Sequence, residues 1–365
     1  MKLKLLLVVV AVIAGLYFVN LWLNEKRKEY IPGVPATATP ASGEVRETFT
    51  VGFLPVTCHL TCPVTSWITE HGDAGTIFKS QKFTDFPSMK EALIARKIDA
   101  TFMNAPLAPK LVMDGVPVKI VYLGHRDGTA VVVRTDGPIQ QFEDLRGKVV
   151  AIPGRFSNQN IFLHRMMKQL GMPFDSMTIK ELPPPEHPSA LAAGAIDAYI
   201  IGEPHAAKGE LDGYGRVLLQ MRDAWPNFIS CVLVVRQEII DERRDLVQEL
   251  VNGIAASGEW LDEDRHTTAQ HRKDAAVVAG KIFYNQPPKL LDYVLTKDVT
   301  RVSYTNLMPP KHDFDEIMDL AFELKILPKK IPFEDYVDAS FAPDLETVDV
   351  KFDRLPRVEE IAKQP

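Results

Sequence analysis

The stretch HPSALAAGAIDAYIIGEP, residues 187–204, decides the fold. Its first half is small and apolar at helical spacing and stops at Gly194. AIDAYIIG (195–202) then reads as a strand buried on both faces, and Glu203-Pro204 opens the next helix. MKEALIARKIDATFMNAP, residues 89–106, repeats the plan: a helix, Ile-Asp-Ala, a strand, then a polar or small residue and proline. A helix feeding a buried strand is the unit of a parallel sheet. Two such units point to an α/β protein built from two similar halves.

Working outward, TFTVGF (48–53), TIFKSQKF (76–83), IDATFM (98–103) and VPVKIVYLG (116–124) read as strands, the second of them exposed. The helices between them are expected over 87–97 and 105–115. The series restarts with strands at 130–134, 148–153, 177–182 and 195–202 and helices at 157–171, 186–194 and from 203. Ser157 is the expected N-cap of the helix over 157–171. FISCVLVVR (228–236) is apolar and β-branched throughout, as a central strand is. After it the pattern turns helical over 241–264, 268–283 and 312–327.

The 365-residue chain is 46% hydrophobic and 25% charged, which suits two lobes, and its net charge of −6 argues against a nucleic-acid partner. The apolar run LLLVVVAVIAGLYFVNLWL (5–23) is expected to be an uncleaved signal anchor, a transmembrane helix preceded by a short cytoplasmic N-terminus, 1–4. At about 1.5 Å per residue such a helix roughly matches a ~30 Å apolar bilayer core. Cleavage after Ala14, giving a secreted form, is the alternative. IPGVPATATPASGE lies within a flexible tether over 24–47. The folded part is divided as 48–128 and 229–345 for one lobe with its C-terminal helices, 129–228 for the other, and 346–365 as a tail.

VGFLPVT, IDATFMNAP, LRGKVVAIPGRFS, PPPEHPSALAAGAIDAYIIGEP and the Trp-Pro of RDAWPNF together resemble the periplasmic solute-binding proteins of ABC importers of the nitrate, bicarbonate and sulfonate type, the NMT1/THI5-like superfamily. The resemblance runs in order from about 49 to 342. It implies a bilobal, venus-flytrap fold of type II with two strand crossovers, a small solute held in the cleft, a permease and an ATPase as partners, no cofactor and no catalysis. Its anion-binding members carry an aspartate where this chain has Cys58, so the first lobe's pocket wall is expected to differ.

Ligands of open α/β sheets gather at the carboxyl ends of strands, where helix N-termini offer free N–H groups. Those ends here are PVTCH (55–59), MNAP (103–106), HRDGT (125–129), PGRFSNQ (153–159) and GEPH (202–205). The ligand-binding candidates are accordingly Thr57, Cys58, His59, Asn104, Arg155, Ser157, Asn158, Gln159, His187, Glu203, His205 and Trp225. Arg155 suits a carboxylate or sulfonate, Glu203 an ammonium or a ring N–H, and Trp225 or Phe156 a planar ligand. Each also has a plain alternative: capping for Ser157 and Thr61, a solvated loop for Arg155, core packing for the aromatic rings.

The three cysteines leave several readings open. Cys58, His59 and Cys62 form a thiolate-imidazole set that would suit copper(I) or zinc, completed by His187 or His205, but no second such pair supplies the four ligands of a closed site. A Cys58–Cys62 disulfide is open to an oxidising compartment. Cys231, inside an apolar strand, is expected to be an inert buried thiol. Two further function readings accompany the binding protein: an enzyme resembling pyrimidine-precursor synthases, and a membrane-tethered metal-binding sensor.

Overall fold

A computed structural model describes residues 46–72 and 75–343, with 345 and 350. Among the described residues, eleven strands form two sheets. The first contains β1 (Thr48–Phe53), β2 (Ile77–Lys82), β3 (Ala100–Met103), β4 (Val118–Asp127), β10 (Ile229–Arg236) and β11 (Val302–Ser303), in the order β11-β4-β10-β3-β1-β2. The second contains β5 (Thr129–Arg134), β6 (Val149–Ile152), β7 (Thr178–Glu181), β8 (Ala198–Gly202) and β9 (Gly215–Gln220), in the order β7-β6-β8-β5-β9. The two sheets share a plan. In each, three strands joined through helices run parallel, β2-β1-β3 and β7-β6-β8. In each, a strand that crosses from one sheet to the other then pairs antiparallel with the third: β10 on β3, β5 on β8.

The helices used below are α1 (Thr61–His71), α2 (Phe86–Ile94), α3 (Leu107–Met113), α4 (Asn158–Gln169), α5 (Glu186–Ala192), α6 (His205–Leu211), α7 (Arg244–Glu263), α8 (Gln270–Val278) and α9 (Lys311–Glu323). Local chemistry starts several of them. Asp85 accepts from Ser88 N at 2.7 Å and Pro87 stands in the first turn of α2. Ser157 accepts from Asn160 N at 3.1 Å and caps α4 as expected. β10 is buried from Ile229 to Val235, which its β-branched sequence requires at the centre of a sheet covered on both faces. In β5, alternate residues serve different sides: Val131 and Val133 join the large core, Ala130 and Val132 a smaller one with Leu191, Tyr199 and Ala206.

Several expected boundaries shift. β4 does not end at Gly124 but continues to Asp127, because β10 and β11 pair with its last residues. β9 went unread: GRVLLQ is half-buried at a sheet edge and lacks a continuous apolar run. The helix expected over 268–283 gives way after Val278 to a wider turn over Ala279–Tyr284, where Gly280 packs against Gln286 and Pro288. The expected anchor at 5–23, nearly all of the tether, and most of the tail lie outside the described residues. Among the described residues no helix is long and apolar enough to cross a membrane.

Candidate functional site: a polar seam between the sheets

β1 delivers its chain into a tight turn, Thr57–His59, that is wholly buried. Backbone and side-chain bonds hold this turn from several sides. Leu54 N donates to His59 Nδ1 at 2.8 Å, Tyr284 OH to Val56 O at 2.8 Å, and Tyr304 OH to Thr57 O at 2.9 Å. His59 stacks on Phe102 of β3, with ring centroids 5.2 Å apart. The turn also reaches the second sheet: Thr57 N donates to the carbonyl of Glu203, after β8, at 2.7 Å. The Thr57 hydroxyl donates to the same carbonyl at 3.2 Å and lies 2.9 Å from His125 Nε2. A hydroxyl that donates to Glu203 accepts from the imidazole, so His125 carries its proton on Nε2 and keeps a lone pair on Nδ1.

Other bonds cross the same seam. Asn158, at the start of α4, donates through Nδ2 to the carbonyls of Ile229 at 2.5 Å and Ser230 at 3.1 Å. Arg301, beside β11, donates to Glu203 Oε1 at 2.8 Å and to Glu210 Oε2 at 2.9 Å. Glu203 Oε2 accepts from Ala207 N at 2.8 Å. Both carboxylate oxygens of Glu203 are therefore committed, and the residue clamps the two sheets together instead of offering a free anion to a ligand. Burial raises its pKa, with Arg301 acting in the opposite sense.

What the seam leaves over is a set of polar atoms. His59 Nε2, Thr61 Oγ1, His125 Nδ1, Thr129 Oγ1, Asn158 Oδ1, Gln159 Oε1, His187 Nε2 and His205 Nε2 are buried without a hydrogen-bond partner in the protein. They are eight of the fourteen such side-chain atoms among the described residues; six lie in the strand-end segments expected to face a ligand, His187 starts α5, and Thr61, expected only to cap, starts α1. Each unmet group costs ~1–3 kcal/mol, so eight together, roughly 8–24 kcal/mol, match or exceed the ~5–15 kcal/mol by which a domain is stable. A polar occupant that pairs with them removes that cost.

Three of these imidazoles, His125, His187 and His205, are neutral. Burial lowers the pKa of His125 to about 4, with the nearby Cys58 acting in the opposite sense. Burial lowers His187 to about 4, although its hydrogen bonds, such as that from Nδ1 to Pro183 O at 3.0 Å, oppose the shift. His205 falls to about 3 through burial and the proximity of His187.

The sequence candidates divide. Thr57, Cys58, His59, Ser157, Asn158, Gln159, His187 and His205 lie buried on the seam segments. Asn104 is buried at the end of β3, its carbonyl accepting from Leu107 N at 3.0 Å. Arg155 is exposed and donates to Lys325 O at 2.9 Å, after α9, so its side chain is engaged away from the buried group. Trp225 is buried, donates Nε1 to Glu316 Oε2 at 3.1 Å and lies under the Arg165 guanidinium, which places it in packing between α4 and α9. Phe156 is half-buried under Lys110 and Arg155. Thr61 does not cap α1; its hydroxyl is one of the partnerless atoms.

The cysteine readings change most. Cys62 Sγ lies 3.2 Å from Ser80 Oγ and 3.9 Å from Val51 O and faces β2, so Cys58, His59 and Cys62 form no common site and Cys58 does not meet Cys62. Burial pushes the Cys62 thiol up to about 12. Cys231 takes its place: its Sγ lies 2.9 Å from that of Cys58, and Cys58, His59 and Cys231 offer ligand atoms within 4.8 Å of one another. Sequence reading missed Cys231 because 173 residues separate it from Cys58. His125 stands in the strand-end segment HRDGT (125–129) without being singled out there, and Arg301 belongs to no motif.

Residues 42–279 match the model of the NMT1-like family. A putative aliphatic sulfonates-binding protein of Escherichia coli is 24% identical over 254 residues, which are 68% of this chain and 76% of that protein. The nitrate import ATP-binding protein NrtC of a Synechocystis strain is 25% identical over 274 residues, 68% of this chain but only 40% of the longer relative. Among solved structures, the ligand-binding component of an ABC-type import system from Staphylococcus aureus, with zinc bound, superposes with a TM-score of 0.73 at 24% identity, covering 83% of this chain and all of that one. At that identity the superposition speaks for the fold alone.

Proposed function

Because the chain belongs to the NMT1-like family, we propose that it is the solute-capturing component of an ABC-type importer and works by binding without turnover. The observation that carries this is the set of partnerless buried polar atoms along the seam. A small polar solute lies there, between a lobe over 48–128 and 229–345 and a lobe over 129–228. Closure turns on the two crossings, where Asp127, Gly128 and Asn227 hold positive φ of 65°, 66° and 61°. Those conformations tie the chain reversal to single residues, as hinges require. The permease and ATPase of the importer are the partners, and residues 5–23 tether the protein to the inner membrane, outside the cytoplasm.

The charge of the seam narrows the solute. Arg301 is neutralised by Glu203 and Glu210, and the histidines with lowered pKa are uncharged at pH 7. His125 Nδ1, Asn158 Oδ1, Gln159 Oε1 and His187 Nε2 are acceptors. An uncharged heterocycle with ring N–H groups satisfies them better than nitrate or a sulfonate, which carry only acceptors, or bicarbonate, whose single O–H can meet one of them. The test is a thermal-shift series on the purified chain with nitrate, bicarbonate, an alkanesulfonate and a pyrimidine base. A true solute at about a hundred times its Kd raises the melting temperature by about 5 °C or more. Stabilisation by the anions alone overturns the heterocycle assignment, and chemical conversion of a stabilising compound overturns the binding role.

A further inference from the structure

We propose that Cys58 and Cys231 are an oxidation site that closes to a disulfide and bolts the 57–59 turn to β10. Their sulfurs are 2.9 Å apart, and the two side chains are 4% and 2% exposed. The backbone explains the convergence. Cys231 stands opposite His125 in the β4–β10 pairing, and the neighbouring Gly124 lets the carbonyl of Cys58 press so close that an added Cβ would meet it at 2.2 Å. The turn is thus seated on β4 next to Cys231. A disulfide needs an S–S distance of about 2.05 Å, an approach of under an ångström from the present one.

A metal fits less well. Zinc takes four ligands, and the described residues bring together three: Cys58, His59 and Cys231. His59 Nδ1 already accepts from Leu54 N, so the ring proton is on Nε2, and neither nitrogen has a lone pair to give. Cys62 is held apart against Ser80. The two sulfurs also differ in acidity. Burial opposes ionisation of both, but the contact with Cys231 and the neighbouring His59 bring Cys58 well below the usual thiol range, while Cys231 is pushed well above it. One sulfur is set to attack and the other to resolve.

With hydrogen peroxide as the oxidant, the Cys58 thiolate attacks one oxygen. The O–O bond breaks, hydroxide leaves and takes up a proton, and Cys58 becomes a sulfenic acid. Cys231 then loses its proton and attacks the Cys58 sulfur; the S–O bond breaks and water leaves. Two thiols and one peroxide give one disulfide and two waters. The experiment treats the reduced full-length chain with hydrogen peroxide, alkylates it under denaturing conditions and maps its peptides by mass.

The free-thiol count is expected to fall from three to one, with a 58–231 linked peptide two hydrogens lighter and Cys62 alkylated. Cys62→Ser leaves the link intact, and Cys231→Ser abolishes it while Cys62 stays alkylated. A non-reducing melt should lie above the reduced one, a gap absent from folded Cys231→Ser. Three alkylated thiols after prolonged peroxide, a 58–62 link, or one zinc per untreated chain with its release freeing the thiols would each overturn the proposal.

Discussion

Gly124 shows how finely single residues set the seam. A Cβ there would lie 2.2 Å from the carbonyl oxygen of Cys58, a backbone atom that cannot swing aside. Gly124→Ala therefore has to displace the 57–59 turn, and with it the Thr57–Glu203 and Thr57–His125 bonds. Overpacking of this kind costs ~1–3 kcal/mol. Chemical denaturation should show a loss in that range, and the solute's thermal shift should disappear; a variant with wild-type stability would mean the turn is not pressed on β4. At this scale the buried polar positions of the seam were legible in sequence, since Thr57, His59, Asn158, Gln159, His187 and His205 follow strands or start helices. Arg155 and Trp225 find their partners at Lys325 and Glu316 instead of among the buried polar atoms, because a residue type says what it can bind, not which way it points. Glu203 is buried at the end of β8 as its position implies, but its ion-pair partner Arg301 lies 98 residues on, beyond what local sequence shows.

The elements after β10 depend on one buried cation. Arg272, on α8, is fully buried and donates to the carbonyls of Leu261, Leu295, Val299 and Val302 and to Asp262 Oδ1 at 2.5 Å. It so fastens α7, α8 and β11 to one another, while Asp262 also accepts from Tyr304 N and Arg265. Arg272→Leu keeps much of the volume but strands four carbonyls and half of a buried ion pair. Breaking such a pair costs ~3–5 kcal/mol. Urea unfolding should register a loss of that size; a change below 1 kcal/mol would assign the docking to apolar contacts instead. Most elements were readable from periodicity, β10 above all. Two of the failures, β9 and the end of β4, are places where pairing with a distant strand decides, not local pattern.

At the scale of the molecule, the buried neutral histidines make stability depend on pH. His125, His187 and His205 have folded pKa values of about 4, 4 and 3, below the ~6.5 of an unfolded histidine. Unfolding then takes up protons: their contribution is fully present above about pH 6.5 and is lost as pH falls toward 4. From pH 7 to 5 the three together remove about 5 kcal/mol. Glu203, whose pKa burial raises, offsets at most one of those protons. Denaturation at pH 7, 6 and 5 should show this decline, and a flat profile would mean the rings are charged or exposed when folded. The division into two similar sheets was legible from the paired αβ units and the resemblance; the seam's polar surplus was not, because it depends on which atoms find partners. The strand order has one more consequence. β5 to β9 are contiguous in sequence, whereas β10, which belongs between β3 and β4, follows all of them. On the ribosome the apolar edges of β3 and β4 must wait for it, open to mispairing and in need of a chaperone. A nascent chain halted before residue 229 holds every strand of one sheet and a gap down the middle of the other.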